Sequence, residues 1–326
     1  MRLRARLAKS TAGLLASLTL AAGLSGCITV HGEEAVVPAA TEGEARAALD
    51  RYVEISNVAK RDYDAEQNRT IESGGLGDID FAGITARAEV YPDGAEDFEP
   101  LAVSDTRFHI PQQMGWPKFF VADTATNQGR NRWLMFFTRA GIDEEWRLNY
   151  LASMPAAEVP EFAEDEDGYL DDIPAGEGGA SEGYALAPGD LSAAYSVYLQ
   201  SGEGPFAEGP YTSDTRTARD QANSDPASFT EYRDEPAEEA EYGPLAMRTA
   251  DGDAFVMFTS LHDQRQTVAE GREIPVNELT AALMEGEART SLTLEMVGIQ
   301  AALVPAGQGQ IQVVSQMKDA VAITGE

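Results

Sequence analysis

Cysteine is almost missing from this chain: there is one, Cys27, in 326 residues. A single thiol excludes an internal disulfide framework, a cysteine-type zinc site and an iron–sulfur cluster. Histidine is nearly as scarce. His31, His109 and His262 are all there is, which leaves little for metal ligation or a Ser-His-Asp relay. Cations are few as well, 24 Lys and Arg against 55 Asp and Glu, for a formal charge of −31. Each contact to a phosphate backbone needs a cation, so this surface repels nucleic acid and no such partner is expected. No Gly-x-Ser-x-Gly elbow occurs, and Gly74-Gly75-Leu76-Gly77 lacks the lysine of a phosphate loop. No cofactor and no resident metal are expected. What is present is 43% hydrophobic residues, 8% of the chain being aromatic, enough for one large core or two ordinary ones.

The one long apolar run is at the N-terminus. Arg2, Arg4, Arg6 and Lys9 form a basic region without an acid, and residues 12–24 then run apolar and small. That is the length of a signal-peptide core and short of the roughly 20 residues that span a bilayer. Directly after it stands Leu24-Ser25-Gly26-Cys27. Here the sequence resembles a bacterial lipoprotein precursor, in which this motif is the lipobox. The resemblance implies that a diacylglyceryl group is attached to the Cys27 sulfur, that the chain is cut between Gly26 and Cys27, and that Cys27 becomes the anchored first residue. Two acyl chains hold a domain on a bilayer where one gives only marginal binding. Loss of residues 1–26 removes four cations and no acid, taking the charge from −31 to −35. Anionic headgroups repel such a body, so the acyl chains must supply the attachment. Residues 27–40 read as a tether, and the expected location is the outer face of the cell membrane.

Between Arg147 and Arg216 there is no Lys or Arg. Glu161, Glu164, Asp165, Glu166, Asp167, Asp171, Asp172 and Glu177 crowd this gap among prolines and glycines, which marks an acidic linker over 156–188. It separates a first unit, 41–155, from a second, 189–326. The first opens with a helix capped by the box Thr41-Glu42-Gly43-Glu44, with Ala45, Ala48, Leu49, Tyr52, Val53, Ser56 and Ala59 sharing one face. Gly74, Gly75 and Gly77 are expected to end any continuation of it. Strands are predicted over 98–109, 118–125, 131–140 and 144–151, with turns at Asn127-Gln128-Gly129 and Gly141-Ile142-Asp143. The second unit repeats the order. Asp190 is expected to cap a helix carrying Leu191, Ala194, Tyr195 and Tyr198, and a polar loop runs from Gly202 to Asp225. Strands follow over 229–233, 245–249 and 254–261 around the turn Asp251-Gly252. Asn277 caps a short helix through Leu283, and a hairpin of 292–304 and 310–323 closes the chain around Pro305-Ala306-Gly307.

Helix first and antiparallel meander after, twice over, gives an α+β chain of two tandem units. Trp133-Leu134-Met135-Phe136-Phe137 and Phe255-Val256-Met257-Phe258 are their most alike segments. A helix leaned on a sheet whose last strand reads Trp146-Arg147-Leu148 resembles the NTF2-like and cystatin-like folds. In length, signal and layout, and in segments such as Pro117-Lys118-Phe119-Phe120-Val121, the chain resembles uncharacterised lipoproteins of high-GC Gram-positive bacteria. That resemblance implies no active site, because it carries no catalytic motif.

The chemistry-bearing residues have bland readings beside sharp ones. His109 and His262 fall at predicted strand ends, as surface histidines do. Asp165, Asp167, Asp171 and Asp172 around Gly168 suit a hard cation, but an EF-hand register puts Ala163 first and Pro174 last, so a solvated linker is expected. Tyr195, Tyr198, Trp116, Phe119, Phe120 and Trp133 are expected in the core, with a pocket lining as the alternative. The expected role is a tethered, non-catalytic module binding a small molecule or an envelope protein. The alternative is a cofactor-free envelope enzyme working with carboxylates, which requires accessible acids of raised pKa in the main cleft.

Overall fold

The computed structural model describes residues 35–175 and 183–326. The signal segment 1–26, Cys27, His31, the tether through residue 34 and residues 176–182 of the acidic stretch lie outside the described residues. The elements run β1 (Val37–Pro38), α1 (Glu42–Asp62), α2 (Ala65–Arg69), α3 (Gly74–Val90), β2 (Val103–His109), β3 (Gln112–Gln113), β4 (Lys118–Thr126), β5 (Arg132–Arg139) and β6 (Arg147–Met154). After β7 (Asp172–Ile173) come α4 (Leu191–Ser201), α5 (Ser213–Ala222), β8 (Ser228–Pro236), α6 (Glu239–Tyr242), β9 (Leu245–Arg248), β10 (Ala254–Val268), α7 (Glu278–Leu283), β11 (Met284–Gly286), β12 (Ser291–Val304) and β13 (Gln312–Gly325). The chain is α+β, and its strands pair almost wholly antiparallel.

Local chemistry sets the first helix. Thr41 Oγ1 accepts from the Glu44 amide at 3.2 Å and the Thr41 amide donates to Glu44 Oε2 at 2.8 Å, so the capping box closes on both sides. Ala45, Ala48, Leu49, Tyr52, Ser56 and Ala59 are the buried face of α1. Four of the strands that follow it pair in the order β2-β4-β5-β6 as a meander, while β3 pairs with β1. Register shifts between Ser104 and Arg107 and between Phe136 and Phe137 bend this sheet.

Three expectations are corrected. The glycines at 74, 75 and 77 open α3 instead of ending α1. Gly74 takes a left-handed φ of +59°, and a Cβ on Gly75 would stand 2.9 Å from both Ile299 and Val297, so glycine lets the helix lie directly on β12. The passage 202–225, expected as loop, contains α5, whose polar face hid its periodicity: none of its residues is buried. Asp190 precedes α4 but makes no capping hydrogen bond; a turn of 3-10 helix, Pro188–Asp190, leads into it instead.

The second sheet is not a simple meander. Its order is β11-β13-β12-β10-β9-β7, with β8 also pairing along β10 and β11 parallel to β13. Part of the acidic stretch joins it. β7 pairs with β9, Phe162 bridges to Thr249, and Phe162, Leu170 and Ile173 are buried among the core residues. Averaged composition concealed those three apolar side chains amid the acids.

Both sheets share one core. A single cluster takes Leu49, Phe120, Phe136 and Tyr150 from the first unit with Met247, Phe255, Met257 and Ile299 from the second. The two segments read as most alike meet there, the rings of Phe136 and Phe255 lying parallel (4°) with centroids 6.3 Å apart. The opposite face of the second sheet carries its own cluster, in which Leu191, Tyr195, Tyr198 and Leu199 of α4 cover Val256, Phe258 and Val304.

Candidate functional site

A cavity of about 460 Å³ opens between α1, α3 and the start of β5. Helical spacing supplies two of its walls. Tyr52, Ser56 and Lys60 recur every four residues on α1, and Asp80, Ile84 and Arg87 recur on α3. Trp133 of β5, with Phe98 and Leu101 of the loop between α3 and β2, gives an apolar side. Asn57 pins that loop, its Oδ1 accepting from the Leu101 amide at 2.7 Å and its Nδ2 donating to the Leu101 carbonyl at 3.0 Å. Of the aromatics weighed from sequence, Phe119, Phe120, Tyr195 and Tyr198 are core, while Trp133 lines the cavity.

Behind the cavity lies a buried carboxyl. Glu72 accepts from Tyr52 Oη at 3.0 Å and from Asn68 Nδ2 at 2.6 Å. Lys60 Nζ stands 2.7 Å from Asp80 and 4.0 Å from Glu72. Burial pushes the Glu72 carboxyl up from its ordinary range, and the negative Asp80 adds to this against the pull of Lys60. Because Glu72 takes up a proton more readily folded than unfolded, stability falls as pH rises above its unfolded value near 4.5. Glu72→Gln is expected to flatten that decline. Thermal midpoints of both proteins across pH 5 to 9 check it, and parallel curves would refute it.

The carboxylate-enzyme reading needs two accessible acids. Glu72 is fully buried, with both oxygens taken by donors. Of the three acids that line the cavity, Asp80 is paired with Lys60, while Asp97 and Glu99 stand exposed on the loop before β2.

Sequence reasoning misplaced His262. It lies buried within β10, not at a strand end on the surface. Its Nδ1 is 2.6 Å from Asp234 Oδ1 and its Nε2 2.9 Å from Ser260 Oγ. Arg219 of α5 clamps the same Asp234 with bonds of 2.6 and 2.7 Å. The neighbouring Asp263 takes no part; Asp234 arrives because it is directly paired with His262 in the β8–β10 register. The order acid–imidazole–hydroxyl is that of a nucleophilic triad. However, Ser260 has no exposed surface, so no substrate can reach its oxygen, and the chain of bonds acts as a fastener between α5, β8 and β10.

His109 ends β2 mostly buried against the edge of the Phe162 ring, 5.1 Å between centroids, with Glu164 3.8 Å from Nδ1. Burial lowers its pKa, so the ring is neutral at pH 7. The acids around Gly168 are used in structure. Asp165 accepts from the amides of Asp167 and Tyr169, Asp171 pairs with Arg248, and Asp172 accepts from Gln113. Among the described residues no group of three or more His, Cys, Asp or Glu converges as a metal site. No helix among them is long and apolar enough to cross a membrane.

Residues 36–325 match the model of a domain of unknown function, DUF8094. The chain belongs to that family. An uncharacterized lipoprotein of Streptomyces coelicolor is 42% identical over 304 residues, covering 93% of this chain and 91% of its own. An uncharacterized lipoprotein of Streptomyces avermitilis is 39% identical over 318 residues, covering 96% and 94%. A second uncharacterized lipoprotein of Streptomyces coelicolor is 26% identical over 331 residues, covering 92% and 90%. No solved structure matches the chain. The DUF8094 match begins one residue before β1, the first described strand, and ends with β13, so it takes in both sheets.

Proposed function

We propose that this DUF8094 protein is a lipoprotein held on the outer face of the cell membrane by a diacylglyceryl group on Cys27, and that it binds a small molecule between α1 and α3. The lipobox Leu24-Ser25-Gly26-Cys27 and the names of the Streptomyces relatives support the anchor. The cavity carries the binding reading: concave, with an aromatic wall at Trp133 and Phe98 and charged groups at Lys60, Asp80 and Arg87, it combines the features of ligand sites. Three helices against a bent four-stranded meander with the cavity between them support an NTF2-like reading of the first unit.

Cys27→Ala is expected to abolish lipid labelling and either release the protein or leave its signal uncut. Unchanged lipid labelling and membrane retention would refute the anchor. For the cavity, a panel of envelope metabolites is screened by thermal shift. A compound that raises the melting temperature should lose its effect with Trp133→Ala, and hits indifferent to that change would place binding elsewhere.

We also propose that 41–155 and 189–326 are the two building units, joined through 156–188. Since they share a core, a protease cut within 156–188 should leave fragments that co-elute on gel filtration and part only in denaturant. Fragments that separate without denaturant would refute the shared core.

A further inference from the structure

Seven large apolar side chains stand exposed among the described residues, and four of them are at one end of the first sheet. Val36 (60% exposed) and Val37 (41%) belong to the first described strand and its approach, Met114 (64%) follows β3, and Ile142 (75%) tips the β5–β6 turn. Pairing brings them together. β1 lies on β3, with Val37 opposite Gln113, and Lys118, at the head of β4, is paired with Arg139, at the tail of β5. The Lys118 ammonium reaches the carbonyls of both Val37 and Gln113. The remaining three, Tyr91, Val197 and Phe229, are scattered over the end of α3, the middle of α4 and β8.

The same end has interfacial chemistry. Trp116 is half-buried there, and the Arg139 guanidinium lies over two indoles, 5.1 Å from the Trp116 ring and 4.7 Å from that of Trp146. Arg139 makes no ion pair among the described residues, although acids outnumber cations two to one. Tryptophan and arginine beside exposed aliphatic side chains are the residues that settle at headgroup depth.

The position of this end names its partner. Eight residues lie between Cys27 and Val36, a span of at most about 30 Å of extended chain, so an anchored Cys27 keeps Val36 within that distance of the bilayer.

We infer that the end bearing Val36, Val37, Met114, Trp116 and Ile142 docks on the membrane that holds the anchor, its aliphatic tips entering the headgroup layer. The inference rests on the anchor reading. Asp143, Glu144 and Glu145 follow Ile142 and are exposed or largely so; they oppose deep burial in anionic lipid, so contact is shallow and the acyl chains hold the protein there. Docking fixes the body's orientation, which the anchor alone leaves open.

The test uses the full lipidated protein in phosphatidylcholine–phosphatidylglycerol vesicles. An environment-sensitive fluorophore is placed singly through Met114→Cys, Ile142→Cys, Val197→Cys and Phe229→Cys, and nitroxide lipids serve as quenchers. Acylated Cys27 has no free thiol to compete. Labels at 114 and 142 should be quenched several-fold more than those at 197 and 229, and Trp116→Ala with Val37→Asp should reduce the difference. Equal quenching at all four positions in protein that co-floats with vesicles would overturn the docking and leave the anchor standing. Failure to co-float, with a reactive thiol at Cys27, would overturn the anchor and the docking with it.

Discussion

Replacing Asp234 by alanine should lower stability by about 3–5 kcal/mol, the scale for removing one partner of a buried ion pair. Asp234 has almost no exposed surface and holds two groups at once, the Arg219 guanidinium through both oxygens and the His262 ring through Oδ1. Alanine leaves a guanidinium and an imidazole without their acceptor, and it frees α5, which buries no residue of its own, from β8. Burial alone would raise the Asp234 pKa, but the Arg219 fork and the His262 bond outweigh it and hold the group down at about 2. Its stabilisation is therefore complete above the unfolded value of 3.8 and is lost as pH falls through about 2. His262 acts earlier. Burial keeps it neutral and its pKa below the ordinary imidazole value of 6.5, so stability begins to fall as pH drops below 6.5, where the unfolded chain takes the proton first. Urea unfolding at pH 7 and pH 5 checks both statements: Asp234→Ala should move the midpoint strongly at either pH, and His262→Gln should weaken the pH dependence. An Asp234→Ala midpoint within a few tenths of a molar of the parent at pH 7 would refute the fastener role.

The second large effect belongs to Phe255→Ala, expected to cost about 3–5 kcal/mol as a large-to-small change in a closed core. Phe255 is fully buried, parallel to Phe136 across the two sheets and edge-on to Phe162 of the acidic stretch, 5.8 Å between centroids. One ring thus touches both units and the segment between them. The loss should appear as a lower midpoint of one cooperative transition, with fluorescence of Trp133 and Trp146 in the first unit following the change made in the second. Two separated transitions, with only the second unit weakened, would show that the sheets fold independently.

The contrast between these sites and the first helix shows what was legible in advance. The Thr41–Glu44 box, the buried face of α1, the turns at Asn127–Gly129 and Asp251–Gly252 and the hairpin around Pro305–Gly307 were readable because each depends on residues three or four apart. Gly74 and Gly75 were misread because clustered glycines signal a break, and only the approach of Val297 and Ile299 from more than 200 residues away explains a helix that needs them. Phe162, Leu170 and Ile173 were lost among acids for a similar reason: average composition describes solvated chain, while three apolar side chains suffice to bind it to a sheet edge.

By itself, the amino-acid order determined the α+β class, the capped helix and most strands, all properties of neighbouring residues, and it is the basis of the proposed lipid anchor. Which of 55 acids matter was decided only by tertiary structure. Glu72 and Asp234 have no distinguishing neighbours along the chain. They differ from the rest because packing removes water from them, and a carboxyl without water depends wholly on the donors that the fold brings to it.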